Sequence, residues 1–144
     1  MELGLVFSVD VHPDGREYAV GFNGGKKVVI FSVENHEELR RIDVPDYVYS
    51  ARYSPDGGRL AVAHESGLVM VDSVSGEELG RWRERKRRYD VVFYDGGSKL
   101  VASSGGSGPS PYLQLLDGTT LASIGTLDSG LSSGEVKWWR LEDR

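Results

Sequence analysis

His12-Pro13-Asp14-Gly15 and Ser54-Pro55-Asp56-Gly57 write the same turn twice, with Pro13 and Pro55 42 residues apart. A third, weaker copy reads Tyr94-Asp95-Gly96-Gly97, and Asp56 to Asp95 is 39 residues. Proline presets φ, aspartate bonds its own backbone and glycine accepts a positive φ, so each string is a tight turn with a mechanism. Working outward, an alternating stretch precedes each turn: VFSVDV (6–11), VYSARY (48–53) and YDVVFY (89–94). A second follows it: EYAVGF (17–22), RLAVAH (59–64) and KLVASS (99–104). A third comes next: VVIFSV (28–33), LVMVDSV (68–74) and YLQLLD (112–117). A fourth closes each unit: ELRRIDV (38–44), EELGRW (77–82) and TLASIGTL (120–127). Alternation at period two, cut by Gly, Pro, Asp and Asn, predicts short strands in antiparallel hairpins. A unit of four strands repeating near every 40 residues is the signature of propeller blades.

The repeats resemble the WD40 family. The phrase VFSVDVHPDG looks like that family's first strand and turn. The family's third strand commonly ends in Trp-Asp. Its clearest relative here is Gly134-Glu135-Val136-Lys137-Trp138-Trp139-Arg140, with Arg140 in place of the aspartate. Phe31-Ser32, Val71-Asp72 and Leu116-Asp117 occupy the same slots in the three units. Two features of the family are missing. No Gly-His pair precedes the first strand, and Asn23-Gly24-Gly25 and Glu65-Ser66-Gly67 stand where an aspartate-bearing turn would be. The family's buried Asp–His–Ser–Trp network is therefore not expected, and packing between neighbouring sheets must hold the blades.

The expected fold is all-β: three four-stranded antiparallel blades at residues 5–44, 48–82 and 89–127, then an extra C-terminal strand at 135–141. That is an incomplete ring, because closed propellers have roughly 4–8 blades. Val28, Val69, Leu113 and Val136 hold matching third-strand positions at spacings of 41, 44 and 23, so the last interval is half a blade short. A second parse makes 117–123 a turn and second strand leading toward Val136, and takes two strands from the third blade.

The chain has 144 residues, which suits one domain. Its 27% charged and 39% hydrophobic residues are those of an ordinary globular protein. Seventeen Lys and Arg stand against 22 acidic residues, a net charge of -5, which makes nucleic acid a poor partner. There is no cysteine, so neither disulfides nor thiolate metal sites are available. This fits a reducing, cytoplasmic setting. No basic n-region with an apolar run opens the chain, and no apolar run reaches the length of a membrane helix, so neither a leader nor a membrane partner is expected.

The candidate sites concern binding. Arg81, Trp82, Arg83, Glu84, Arg85, Lys86, Arg87 and Arg88 put six basic residues in eight, between the second and third blades. Such a cluster can hold a phosphate or an acidic protein segment, with Trp82 and Tyr89 placed to stack. The other reading, and the favoured one, is a solvated connection whose charges keep a sheet edge soluble. Ser75 and Glu78 also have capping-box spacing, so a short helix competes with a strand here. SSGGSGPSP (103–111) reads as a flexible loop. Adjacent Trp138 and Trp139 must point to opposite faces of a strand, so either one of them meets water or a partner or both are covered by neighbouring blades. His12, His36 and His64 lack metal-site spacing, and His12 takes the serine place of a turn. Asp14, Asp56 and Asp95 recur once per blade, which argues turn chemistry rather than catalysis. There is no nucleophile elbow and no phosphate loop.

No catalytic, metal or cofactor residue is therefore expected. The resemblance implies a non-catalytic scaffold that binds proteins, completed by self-association into a homo-oligomer or by filling another propeller. The competing class is a small-ligand or hydrolytic propeller with its site in the central channel, which needs carboxylates or histidines converging from several blades.

Overall fold

In a computed structural model, residues 5–83, 88–104 and 112–128 are described. They form twelve strands: β1 (Val6–Val11), β2 (Glu17–Phe22), β3 (Lys27–Ser32), β4 (Glu38–Asp43), β5 (Val48–Tyr53), β6 (Arg59–His64), β7 (Gly67–Asp72), β8 (Glu78–Arg83), β9 (Arg88–Tyr94), β10 (Lys99–Ser104), β11 (Tyr112–Asp117) and β12 (Ser123–Asp128). Each run of four makes its own sheet in sequence order, β1–β4, β5–β8 and β9–β12. All pairings are antiparallel. The only helical turn among the described residues is a 3-10 turn at Asp95–Gly97.

The turns follow from their residues. Gly15 and Gly57 sit at φ 75° and 77°, and their amides bond the carbonyls of His12 and Ser54. Asp14 Oδ1 accepts the Arg16 amide at 2.9 Å, and Asp56 Oδ1 the Gly58 amide at 3.0 Å. The third turn lacks the proline. Asp95, Gly96 and Gly97 all take positive φ there, and the chain winds into the 3-10 turn instead. The turns between third and fourth strands also match. Asp72 Oδ1 accepts the amides of Val74 and Ser75, Asp117 Oδ1 those of Thr119 and Thr120, and Ser32 Oγ that of Glu34. These are the slots that follow the family's tryptophan position.

Two alternatives of the sequence reading fall. Residues 78–83 are strand β8, paired along β7, not a helix. Glu78 does not cap a helix; its carboxylate takes the Arg81 guanidinium at 2.6 Å. Residues 118–120 form the turn joining β11 to β12, which pair from Tyr112↔Asp128 to Leu116↔Ser123, so the third sheet keeps all four strands. The C-terminal strand expected at 135–141 lies outside the described residues.

The core lies between sheets, because a strand buries its alternate side chains on each face. Ala19, Val28, Ile30 and Ile42 of the first sheet meet Ala51, Leu60, Val62, Val69 and Val71 of the second. The second sheet's opposite face, with Ala61, Ala63, Leu68 and Met70, meets Val91, Leu100, Ala102, Leu116 and Leu121 of the third. The second sheet is thus apolar on both faces, which explains the near-continuous hydrophobic reading of β6 and β7. Each fully buried Leu, Ile or Val contributes about 1.5–3 kcal/mol.

Candidate functional site

Neighbouring sheets meet through their first strands. β5 packs against β1 on one side and β9 on the other, while the fourth strands lie at the far edge of each sheet. The first strands therefore line the inner side of the arc and the fourth strands its perimeter.

Charged side chains bolt the sheets together. Arg40 of β4 donates through Nε and Nη2 to the Ser73 carbonyl beyond β7, at 2.9 and 2.6 Å. Glu17 of β2 holds the same guanidinium at 2.7 Å and accepts the Tyr53 hydroxyl at 3.1 Å. Partial burial works to raise the Glu17 pKa, but Arg40 outweighs it and the net shift is downward. Burial, then the Glu17 charge, pushes the Tyr53 phenol up. At the next junction Arg59 of β6 plays the equivalent part. It reaches the Gly118 carbonyl, Thr119 Oγ1 at 2.9 Å and the Gly97 carbonyl at 3.3 Å.

A groove of about 290 Å³ opens beside the inner strands, lined by Asp10, Arg52, Tyr53, Pro55, Val91 and Phe93 among others. Its charges are committed to the joints. Asp10 Oδ2 accepts the Tyr53 amide at 2.8 Å, and Arg52 reaches Asp90 at 3.3 Å and the Val9 carbonyl at 3.4 Å. His12 does serve its turn: its Nδ1 accepts the Asp14 amide at 3.1 Å, and its Nε2 donates to the Gly57 carbonyl of the next sheet at 3.1 Å. His64 is buried, and burial lowers its pKa. No group of His, Asp and Glu among the described residues could hold a metal ion.

The basic run is split by its surroundings. Arg81 and Trp82 lie on the perimeter strand β8; Arg81 is bound to Glu78, while Trp82 packs against the core between the second and third sheets. Arg83 ends β8, exposed, and Arg88 opens β9. Arg85, Lys86, Arg87, Trp138 and Trp139 lie outside the described residues.

The face of the first sheet turned away from the second leaves apolar side chains in solvent: Val9 and Val11 of β1 are 52% and 55% exposed, beside Tyr18 stacked on Phe31. Phe7 instead stacks on Tyr49 of the second sheet, ring centroids 5.9 Å apart. At the other end Val92 is 54% exposed. Sequence reasoning saw that both ends are open but missed the bolts Glu17, Arg40 and Arg59. One signal was present: a charged residue opens the second strand of every repeat, at Glu17, Arg59 and Lys99.

Comparison with known proteins agrees with this geometry. The human echinoderm microtubule-associated protein-like 3 is 34% identical over 76 residues, 53% of this chain and 8% of that protein. Among solved structures, the WD40 repeats of RRP9 match with a TM-score of 0.77 at 17% identity, over 88% of this chain and 39% of that one. U3-55K matches at 0.76 and 18%, over 88% and 40%. The Kuenenia stuttgartiensis hydrazine synthase matches at 0.76 and 20%, over 85% and 37%. No family model matches the chain. The chain thus spans under half of each solved chain and a small part of its curated relative. The fold is that of β-propeller blades, as in the WD40 repeats of RRP9. Three such blades stand side by side here, without ring closure among the described residues.

Proposed function

We propose that this chain is a non-catalytic, protein-binding scaffold, a partial propeller completed by self-association or by the blades of a partner, working in the cytoplasm. The observation that carries this reading is the pair of open end faces. Among the described residues blade two is covered on both sides, whereas blade one turns Val9 and Val11 to solvent and blade three turns Val92. Exposed apolar sheet faces of this kind are interaction sites or aggregation hazards. The likeness to WD40 blades supports a scaffold in general terms. The hydrazine synthase among the neighbours is named as an enzyme, but likeness at 20% identity carries fold and not chemistry.

The test is Val9→Asp with Val11→Asp. Both side chains are more than half exposed on the face away from the second sheet, beside Val20 and Tyr18, so melting should change less than association. Association, read by light scattering after size exclusion, should be lost. A variant that associates as the parent does would overturn the reading.

A further inference from the structure

We propose that the two open faces of this chain fit each other across copies, so that two chains close a six-bladed ring. The fit is made where Lys99 and Gly125 of one copy receive the turn 33–36 of the other. This rests on the scaffold reading above and names the occupant of both faces.

The chain's own joints supply the template. In each blade the turn after the third strand carries a residue of positive φ: His36, Gly76 and Leu121. Each donates its amide to the last residue of that strand, Ser32, Asp72 or Asp117. The residue opening the turn is equivalent too. Val33, Ser73 and Gly118 donate to the carbonyls of Arg16, Gly58 and Ser98. In both internal joints this turn seats on the fourth strand of the preceding blade. Gly76 lies against Ile42 of β4, and the Thr120 carbonyl lies so close to Gly80 of β8 that a Cβ there would stand 2.4 Å from it. In both joints a cation on the preceding blade holds the carbonyl that opens the turn: Arg40 on Ser73, Arg59 on Gly118.

Among the described residues blade three carries the same seat without an occupant. Gly125 pairs with Leu115 as Gly80 pairs with Met70, each beside a strand irregularity, and none of the described residues lies within 4 Å of where its Cβ would be. Lys99 stands opposite Asp117 as Arg59 stands opposite Asp72. Its side chain is 38% exposed and, among the described residues, is held by Asp95 at 3.4 Å. Blade one carries the unseated turn. Glu34 follows Val33 where Thr119, a partner of Arg59, follows Gly118. A second copy's turn placed on blade three therefore sets Glu34 against Lys99, opposite charges in the register the internal joints use. The same placement lays Val92 against Val9 and Val11. Two copies of three blades make six, within the roughly 4–8 of closed propellers, and a two-fold axis satisfies both ends at once.

The experiment is sedimentation of the full chain carrying Lys99→Glu, Glu34→Lys, both together, or Gly125→Leu. Each charge reversal should weaken the dimer about tenfold, and the double reversal should return it toward the parent value. Gly125→Leu should block it with the melting temperature kept, because its surroundings in the single chain are open. A dimer indifferent to all four variants overturns this register while leaving the scaffold reading standing. A chain that never dimerises but joins blades of another protein overturns this proposal alone. A chain that associates with nothing overturns both.

Discussion

The Arg40 guanidinium of the first blade grips the Ser73 carbonyl of the second at 2.6 Å while Glu17 holds it from behind. A main-chain carbonyl at a blade junction is thus satisfied by a side chain from the neighbouring blade, and removing that side chain leaves the carbonyl without its partner and Glu17 with the Tyr53 hydroxyl but no cation. Arg40→Ala should therefore cost about 1–3 kcal/mol in chemical denaturation. A change within error of zero would show the contact to be incidental.

Gly80 and Gly125 hold equivalent positions in very different surroundings. Gly80→Ala should lower the melting temperature by several degrees, because the Thr120 backbone must move away. Gly125→Ala should leave the isolated chain's melting temperature unchanged. Equal effects at the two sites would contradict the close junction between blades two and three.

His64 makes stability depend on pH. Burial depresses its pKa, against the opposing pull of Asp46. The unfolded chain therefore binds more protons than the folded one once pH falls below about 6.5. Stability from this residue is full above that value and declines as pH drops through it toward the depressed folded pKa. His64→Phe should flatten the denaturation midpoint between about pH 7 and pH 5. An unaltered slope in the variant would assign the dependence to other groups.

The basic run makes a separate prediction. Arg83→Ser, Arg85→Ser, Arg87→Ser and Arg88→Ser combined should spare the fold, weaken binding of an acidic peptide and flatten its salt dependence. Binding unchanged at low salt would leave the run as a solvated edge.

The repeat turns carried most of the fold in the sequence. Pro13, Asp14 and Gly15 act locally, so their effect is readable without knowing what lies across the junction. Residue 12 shows the limit: His12 reads as a turn residue, and is one, but its Nε2 also reaches Gly57 45 residues away. Arg40 and Arg59 reach the same kind of carbonyl from different strands, β4 and β6, so no fixed spacing marks the bolts. Gly80 reads as an ordinary strand glycine until the Thr120 turn is seen against it. Trp82, read as placed to stack beside the basic run, is turned toward Leu68 and Met70 by the strand register.

The claim that this is an open arc of blades with faces made for one another is tested most directly by sedimentation equilibrium of the unmodified chain at micromolar concentrations. The account predicts a reversible species of twice 15.8 kDa. A single well-folded 15.8 kDa species at every concentration would contradict it.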